Sequence, residues 1–280
     1  MKLQLVTART GLLWVQLGLK TFFRQPLAMA GLFFIFMATV SVLTAIPLVG
    51  AVISLALLPA ATAGFMAASR TAAAGKFPMP WLLLTAFRSG RVQARAMWVL
   101  GAQYAVGMLL VMGTSALFDG GEFARIYLGG ANPTPEVVRE PAFIRAMWIG
   151  MALYVPLAMA FWHAPALVLW HGMSPTKSLF FSAMACWRNK GAMLVYALGW
   201  IGVFLGVGVA LSLVGAVLGG AQALGMLMFP AVLLMASLFF SSIYFSFRDS
   251  FSQEPEAPGD DTPGSDGSFP PDHPTHGEGT

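Results

Sequence analysis

Four stretches free of Asp, Glu, Lys and Arg organise the chain: Pro26–Ser69, Ala96–Phe118, Ala146–Thr176 and Gly191–Phe247, of 44, 23, 31 and 57 residues. A helix needs about 20 apolar residues to cross the ~30 Å hydrocarbon core of a bilayer. The first and last stretches are each long enough for two crossings. Each also has a turn signal near its middle, Pro47 to Gly50 in the first and Gly219-Gly220 in the last. The pattern predicts an all-α polytopic membrane protein with six transmembrane helices, at about 27–46, 50–68, 96–117, 146–170, 192–217 and 223–246. The runs are continuous and lack period-2 alternation, which excludes an outer-membrane barrel.

Composition strengthens this reading. The chain of 280 residues is 57% hydrophobic and only 10% charged, and its mean hydropathy is +0.72. A soluble domain carries about 25% charged residues, so a soluble enzyme with a small anchor is excluded. The single cysteine, Cys186, excludes an internal disulfide framework. The apolar stretch Gly11–Leu19 is closed by Lys20 and Arg24 with no A-x-A site, so the first segment is expected to stay in the mature protein.

Charge sets an expected orientation. Residues 1–248 hold all 16 Lys and Arg but only the acids Asp119, Glu122, Glu136 and Glu140, a net +12. With six spans, segments 1–25, 70–95, 171–190 and the C-terminal end share one side and carry 13 of the bases. The opposite side carries three bases and all four acids, in the loop 118–145. The positive-inside rule then puts both termini in the cytoplasm. The bases flank spans, so anionic lipid headgroups, not nucleic acid, are the expected partners. Asn132-Pro133-Thr134 is no glycosylation site, because proline fills its middle position. The expected domain is 1–248. Residues 249–280, with eight acids, six prolines and no base, are expected to be a disordered acidic cytoplasmic tail. His273 and His276 read as part of that solvated tail.

The basic inner segments resemble one another. Each has an aromatic residue followed by arginine, then polar or breaker residues, then an uncharged run: Phe23-Arg24-Gln25-Pro26, Phe87-Arg88-Ser89-Gly90 and Trp187-Arg188-Asn189. Gln16, Lys20 and Arg24 form a polar stripe at helical spacing, as do Arg88, Arg91 and Arg95. Lys177 and Arg188 lie 11 residues apart, about three turns. Ser174 and Pro175 supply an N-cap and a first helical position. Three units are therefore expected, each an interfacial helix followed by a transmembrane hairpin. The alternative is that these segments are cytoplasmic extensions of tilted spans.

Phe161-Trp-His-Ala-Pro-Ala-Leu-Val168, followed by Lys177-Ser-Leu-Phe-Phe-Ser182 and Ala185-Cys-Trp-Arg-Asn189, resembles a group of uncharacterised proteobacterial multi-pass inner-membrane proteins that carry only locus-tag names. Phe23-Arg24-Gln25-Pro26 and the Ile46-Pro47-Leu48-Val49-Gly50 turn fit as well, so the resemblance covers roughly residues 8–251. It implies a bacterial inner-membrane location and brings no activity, substrate or catalytic residue.

Candidate chemistry is sparse. His163 is the one histidine well inside a span, and it is expected to be neutral and bonded to a carbonyl freed by Pro165. Gln103 and Tyr104 are the other polar candidates within the spans, able to bond a neighbouring helix or line a path. His163 and His171 stand eight apart rather than at i, i+4, and Cys186 lies beyond a loop, so no metal site or cofactor is expected. Gly113-Thr114-Ser115-Ala116 lacks the second glycine of a membrane serine-protease motif, and Ser115 and His163 differ in depth. No phosphate-binding glycine loop with lysine is present. Gly202/Gly206 and Gly215/Gly219 are expected to pack helices closely, with a homodimer as the other use.

The leading expectation is a non-enzymatic membrane protein that binds lipid or a protein partner, with Arg24, Arg88 and Arg188 as candidate lipid-headgroup contacts. Against this, the three bases are more simply explained as positive-inside topology anchors. A transporter or lipid-translocating permease is the alternative, supported by internal repetition and by prolines at 47, 59, 156, 165 and 230. An intramembrane enzyme would need chemistry at His163.

Overall fold

The computed structural model describes residues 2–47, 49–128 and 131–252. Among these residues the α-helices follow in order: α1 Thr10–Arg24, α2 Pro26–Thr44, α3 Gly50–Ala73, α4 Thr85–Arg88, α5 Arg91–Asp119, α6 Glu122–Tyr127, α7 Pro135–Arg139, α8 Pro141–Phe161, α9 Ala164–His171, α10 Pro175–Arg188, α11 Lys190–Leu218 and α12 Ala221–Ser250. A 3₁₀ helix, Pro80–Leu84, leads into α4. The two-residue strands β1 Lys2–Leu3 and β2 Phe251–Ser252 pair antiparallel. Six helical stretches are long and apolar enough to cross a membrane: α2, α3, α5, α8 with α9, α11 and Leu224–Ser250 of α12. Large apolar side chains such as Leu27, Val106, Leu117, Leu205 and Val217 stand exposed along these stretches, as lipid solvent requires.

The breaks follow local chemistry. Pro26 opens α2 after Gln25, and Gly90 at φ +125° precedes α5. Gly219 and Gly220 turn α11 into α12 with positive φ. Pro165 has no N–H for the Phe161 carbonyl, and its ring crowds that carbonyl, so the fourth span breaks at Trp162-His163 between α8 and α9. Several helices outrun the uncharged stretches, because a helix does not stop where lipid does: α5 begins at Arg91, α8 at Pro141, and α3 runs on to Ala73. Between α5 and α8, the helices α6 and α7 shape the connecting loop, and Asp119 accepts from the N–H groups of Gly121 and Phe123.

Three units emerge. The first is α1, α2 and α3. The second is the 3₁₀ helix with α4, then α5, then α8–α9. The third is α10, α11 and α12. Each basic-end helix packs mainly on the unit before it in the ring, besides contacts with its own hairpin. The 3₁₀ helix and α4 pack on α3, α10 packs on α8 and α9, and α1 packs on α12 and α11, closing a ring. The crossings are equivalent and use small residues. A Cβ on Gly64 would stand 2.7 Å from Leu83 Cα, and one on Gly18 would stand 2.8 Å from Ser242 Cα. Ser182 of α10 hydrogen-bonds the His163 amide. Gly64, His163 and Ser242 lie nine, eight and eight residues before the ends of their helices, so each crossing sits roughly 12–14 Å from the basic end.

At the centre of the basic half, Met66 of α3, Ala166 and Leu167 of α9, and Ile243 and Phe247 of α12 form one buried cluster. Trp170 stacks near Phe247 with ring centroids 5.2 Å apart. A second cluster joins α1, α2, α3, α11 and α12 around Trp14, Phe33, Phe65 and Tyr196. By contrast, α11 turns Leu194, Leu198, Leu205 and Leu213 outward.

The ring is stitched at its seam by residues far apart in sequence. Trp14 Nε1 donates to Asp249 Oδ2 at 2.9 Å. Asn189, buried, accepts from Val6 N and donates to Gln4 O, both at 3.0 Å. Gln4 N donates to Ser250 O at 3.0 Å, extending the β1–β2 pairing. Helix α12 therefore continues through Asp249 and Ser250, and Phe251–Ser252 form β2, at the start of the segment expected to be a tail. The rest of that segment, 253–280, with His273 and His276, lies outside the described residues.

Candidate functional site

Arg24, Arg88 and Arg188 occupy one position three times over. Each is the last residue of its helix, where the helix dipole favours a cation. Each is exposed. Phe23 and Trp187, their preceding aromatics, are also exposed. Arg24 Nη1 donates to the carbonyl of Ala73 at 2.8 Å and so caps the end of α3. Among the described residues neither Arg88 nor Arg188 has an ion-pair partner. Gln16, Lys20 and Arg24 share the exposed face of α1, while Trp14, Val15, Gly18 and Phe22 are buried on the face toward α11 and α12. The apolar face of this inner helix therefore meets protein, with Phe23 left at its edge.

His163 is fully buried at the α8–α9 break. Its backbone N–H donates to Ser182 Oγ at 2.9 Å, and Ser182 Oγ donates to the carbonyl of Met159 at 2.8 Å. One hydroxyl of α10 thus replaces the intrahelical bond lost at the break. The ring does not bond a carbonyl freed by Pro165. Its Nε2 lies 3.3 Å from Ser246 Oγ and its Nδ1 3.8 Å from Cys186 Sγ. Ser246 Oγ donates to the Ile243 carbonyl at 2.8 Å and accepts Trp162 Nε1–H at 3.0 Å. An Nε2–H donating to Ser246, with the Cys186 S–H donating to Nδ1, satisfies every group in this knot.

Gln103, Tyr104 and His163 do not form one site. Tyr104 lines a cleft of about 110 Å³ with Thr62, Tyr154, Phe161, Trp162 and Pro165, beside the broken span. Its ring lies edge-on to Phe161 at 5.0 Å. Gln103 is not among the residues lining this cleft, and its buried Oε1 has no partner among the described residues. The His163 ring turns away toward α10 and α12. Ser115 donates to the Met112 carbonyl at 2.8 Å, not toward His163. His171 lines a separate pocket of about 260 Å³ with Arg70 and Arg248.

Cys186 was expected to lie remote from His163, beyond a loop. The return of α10 along α8 and α9 brings the two together. The signal was the spacing Ser178, Ser182, Cys186, a small-residue stripe at i, i+4, i+8 that is buried on α10. A matching stripe on α12, Ser242, Ser246 and Ser250, is buried as well. Among the described residues no group of three or more His, Cys, Asp or Glu is placed to hold a metal ion. Burial pushes the Cys186 thiol up to about 12, so it is protonated at neutral pH and shielded. A water-soluble maleimide is expected to leave Cys186 unlabelled in the folded protein and to label it fully after unfolding, read by intact mass.

Gly202 and Gly206 also depart from expectation. An added Cβ at either would meet nothing within 4 Å among the described residues, so the close packing within the chain is not seen there. Gly215 does pack closely, against Leu224 of α12.

No family model matches the chain. It is similar to a probable inner membrane protein of Burkholderia thailandensis, 41% identical over 262 residues that span 92% of this chain and 97% of that one. No solved structure matches.

Proposed function

The chain belongs to the family of that Burkholderia protein, as a multi-pass inner-membrane protein, and from this premise we propose that it is a non-enzymatic lipid-binding protein whose inner arginines hold anionic headgroups. The carrying observation is the repeated placement of Arg24, Arg88 and Arg188 as the last residue of a helix at the basic end of each unit. Both termini belong in the cytoplasm on this reading, because 13 of the 16 bases lie at that end. A guanidinium offers the fork geometry that phosphate accepts. Protein association is a secondary use, and the unoccupied Gly202–Gly206 face of α11 suits a second copy of the chain.

The test is retention of phosphatidylglycerol against phosphatidylcholine, read by native mass spectrometry of the purified full chain. Each near-surface base contributes about 1 kcal/mol toward an anionic surface. Changing Arg24, Arg88 and Arg188 together to Gln is therefore expected to weaken phosphatidylglycerol binding by up to roughly a hundredfold. The pair Arg88→Gln/Arg188→Gln leaves the Arg24–Ala73 hydrogen bond in place and so controls for its loss. Unchanged retention in both variants would remove the proposal.

One observation favours the second reading, a transporter or lipid-translocating permease. The cleft beside Tyr104 and Tyr154 adjoins a broken span, the arrangement from which central transport sites are built. Solute or lipid flux in proteoliposomes that depends on Tyr104 and Tyr154 would favour it.

A further inference from the structure

The second inner segment differs from the other two. Helices α1 and α10 run 15 and 14 residues, whereas the second segment is a five-residue 3₁₀ turn and a four-residue helix. Pro78 and Pro80 prevent an earlier helical start, and Gly90 ends the segment. The short segment leaves a groove uncovered between α2 and α3. This groove holds about 420 Å³ and is walled by Ile35, Thr39 and Val40 of α2, Leu57 of α3, and Leu84 and Phe87 of the inner segment. Such a volume lies within the roughly 300–1,000 Å³ of ligand clefts.

Trp81 also borders a second, polar recess of about 490 Å³, formed with Thr85, Arg88 and Ser89. The two spaces therefore adjoin at one aromatic ring, with apolar walls on the membrane side and a guanidinium on the basic side. Trp81 is 53% exposed, as suits an indole at the lipid–water boundary. Ile35 lies at the middle of α2, and Val40 and Leu57 lie in the halves of α2 and α3 away from the basic end, so the groove reaches from beyond mid-span toward the basic end.

We propose that this composite groove binds one anionic phospholipid, an acyl chain between α2 and α3 and the phosphate at Arg88, with the Ser89 and Thr85 hydroxyls beside it. The site rests on the lipid-binding reading above and narrows it to one of the three arginines. Charge complementarity selects the headgroup, and the apolar walls inside two membrane spans select the chain. Arg24 is engaged by Ala73, whereas Arg88 lines the recess beside Trp81.

The experiment counts lipid bound to the full chain by native mass spectrometry, with phosphatidylglycerol and phosphatidylcholine of identical chains as probes. The wild-type protein is expected to retain one phosphatidylglycerol about tenfold more tightly than phosphatidylcholine. Thr39→Trp fills the groove from an exposed position and is expected to lose both lipids, while Thr39→Val keeps them. Arg88→Gln is expected to retain a lipid but lose the headgroup preference. Leu84→Trp serves as a second groove-filling variant should Thr39→Trp fold poorly by circular dichroism, Leu84 being 54% exposed. Wild-type retention in the groove-filling variants overturns the site. If preference survives Arg88→Gln but falls with Arg24→Gln or Arg188→Gln, the groove is wrong and the broader reading stands. If none of the three changes preference, both fail.

Discussion

Gly18→Val is expected to lift α1 from α12 and to lower the thermal unfolding midpoint. An added Cβ at Gly18 would overlap Ser242 Cβ and stand 2.8 Å from Ser242 Cα and 3.1 Å from its backbone nitrogen. Backbone atoms cannot rotate away, so one helix must move. Ser242 is also the hub of the interface. Its Oγ lies 2.6 Å from the Tyr196 hydroxyl, accepts Trp200 Nε1–H at 3.2 Å, and donates to the Phe239 carbonyl at 2.7 Å. Overpacking typically costs about 1–3 kcal/mol. Disturbing these buried bonds adds about 1 kcal/mol or more. Gly113 gives the contrast: it sits inside α5 with nothing within 4 Å of an added Cβ. Gly113→Ala is expected to be neutral or stabilising by up to about 1 kcal/mol, since alanine is the better helix former. Circular dichroism melts of both variants in one detergent check the pair. Equal midpoints would show that α1 is not packed on α12 as described.

Ser182→Ala is expected to destabilise the protein by about 2–4 kcal/mol, because the hydroxyl serves two backbone groups at once. Without it, the His163 N–H and the Met159 carbonyl lose their bridge inside a buried helix break. Neither can find the other directly, because the chain is already bent there. Ser182→Thr keeps the hydroxyl and is expected to recover part of the loss, limited by the extra methyl group. Ser178→Ala is the control. Its hydroxyl bonds only the Pro175 carbonyl within the same helix, so about 1 kcal/mol or less is expected. A melt in which Ser182→Ala matches Ser178→Ala would show that the bridge adds nothing.

How much of this was legible in the sequence depended on the range of the interaction. The six apolar helices were readable because a bilayer imposes one length scale on every span. The three inner segments were readable because Phe23-Arg24, Phe87-Arg88 and Trp187-Arg188 repeat the same local order, and each arginine does end its helix. The His163 knot was not readable. Its ring partners Cys186 and Ser246 lie 23 and 83 residues away, and nothing local announces which serine faces which helix. Asp249 was grouped with the acidic segment that follows it, because composition changes there. Its bond to Trp14, 235 residues away, comes from ring closure and has no local signature. Gly202 and Gly206 show the reverse error: the spacing implied packing within the chain, and the structure gives them open space.

The seam of the ring also imposes an order in time. Helix α1 is synthesised early, yet the α11 and α12 surfaces that cover Trp14 come last, and Asp249 follows Trp14 by 235 residues. At about 5–20 residues per second, a ribosome takes on the order of 10–50 s to bridge that distance. For this interval the part of α1 that meets α11 and α12 has no partner from its own chain, and lipid, insertase or chaperone must shelter it. The last two spans are thus the step at which a half-made ring becomes a closed one, and a chain stopped short of them presents its first helix uncovered to the cell's proteases.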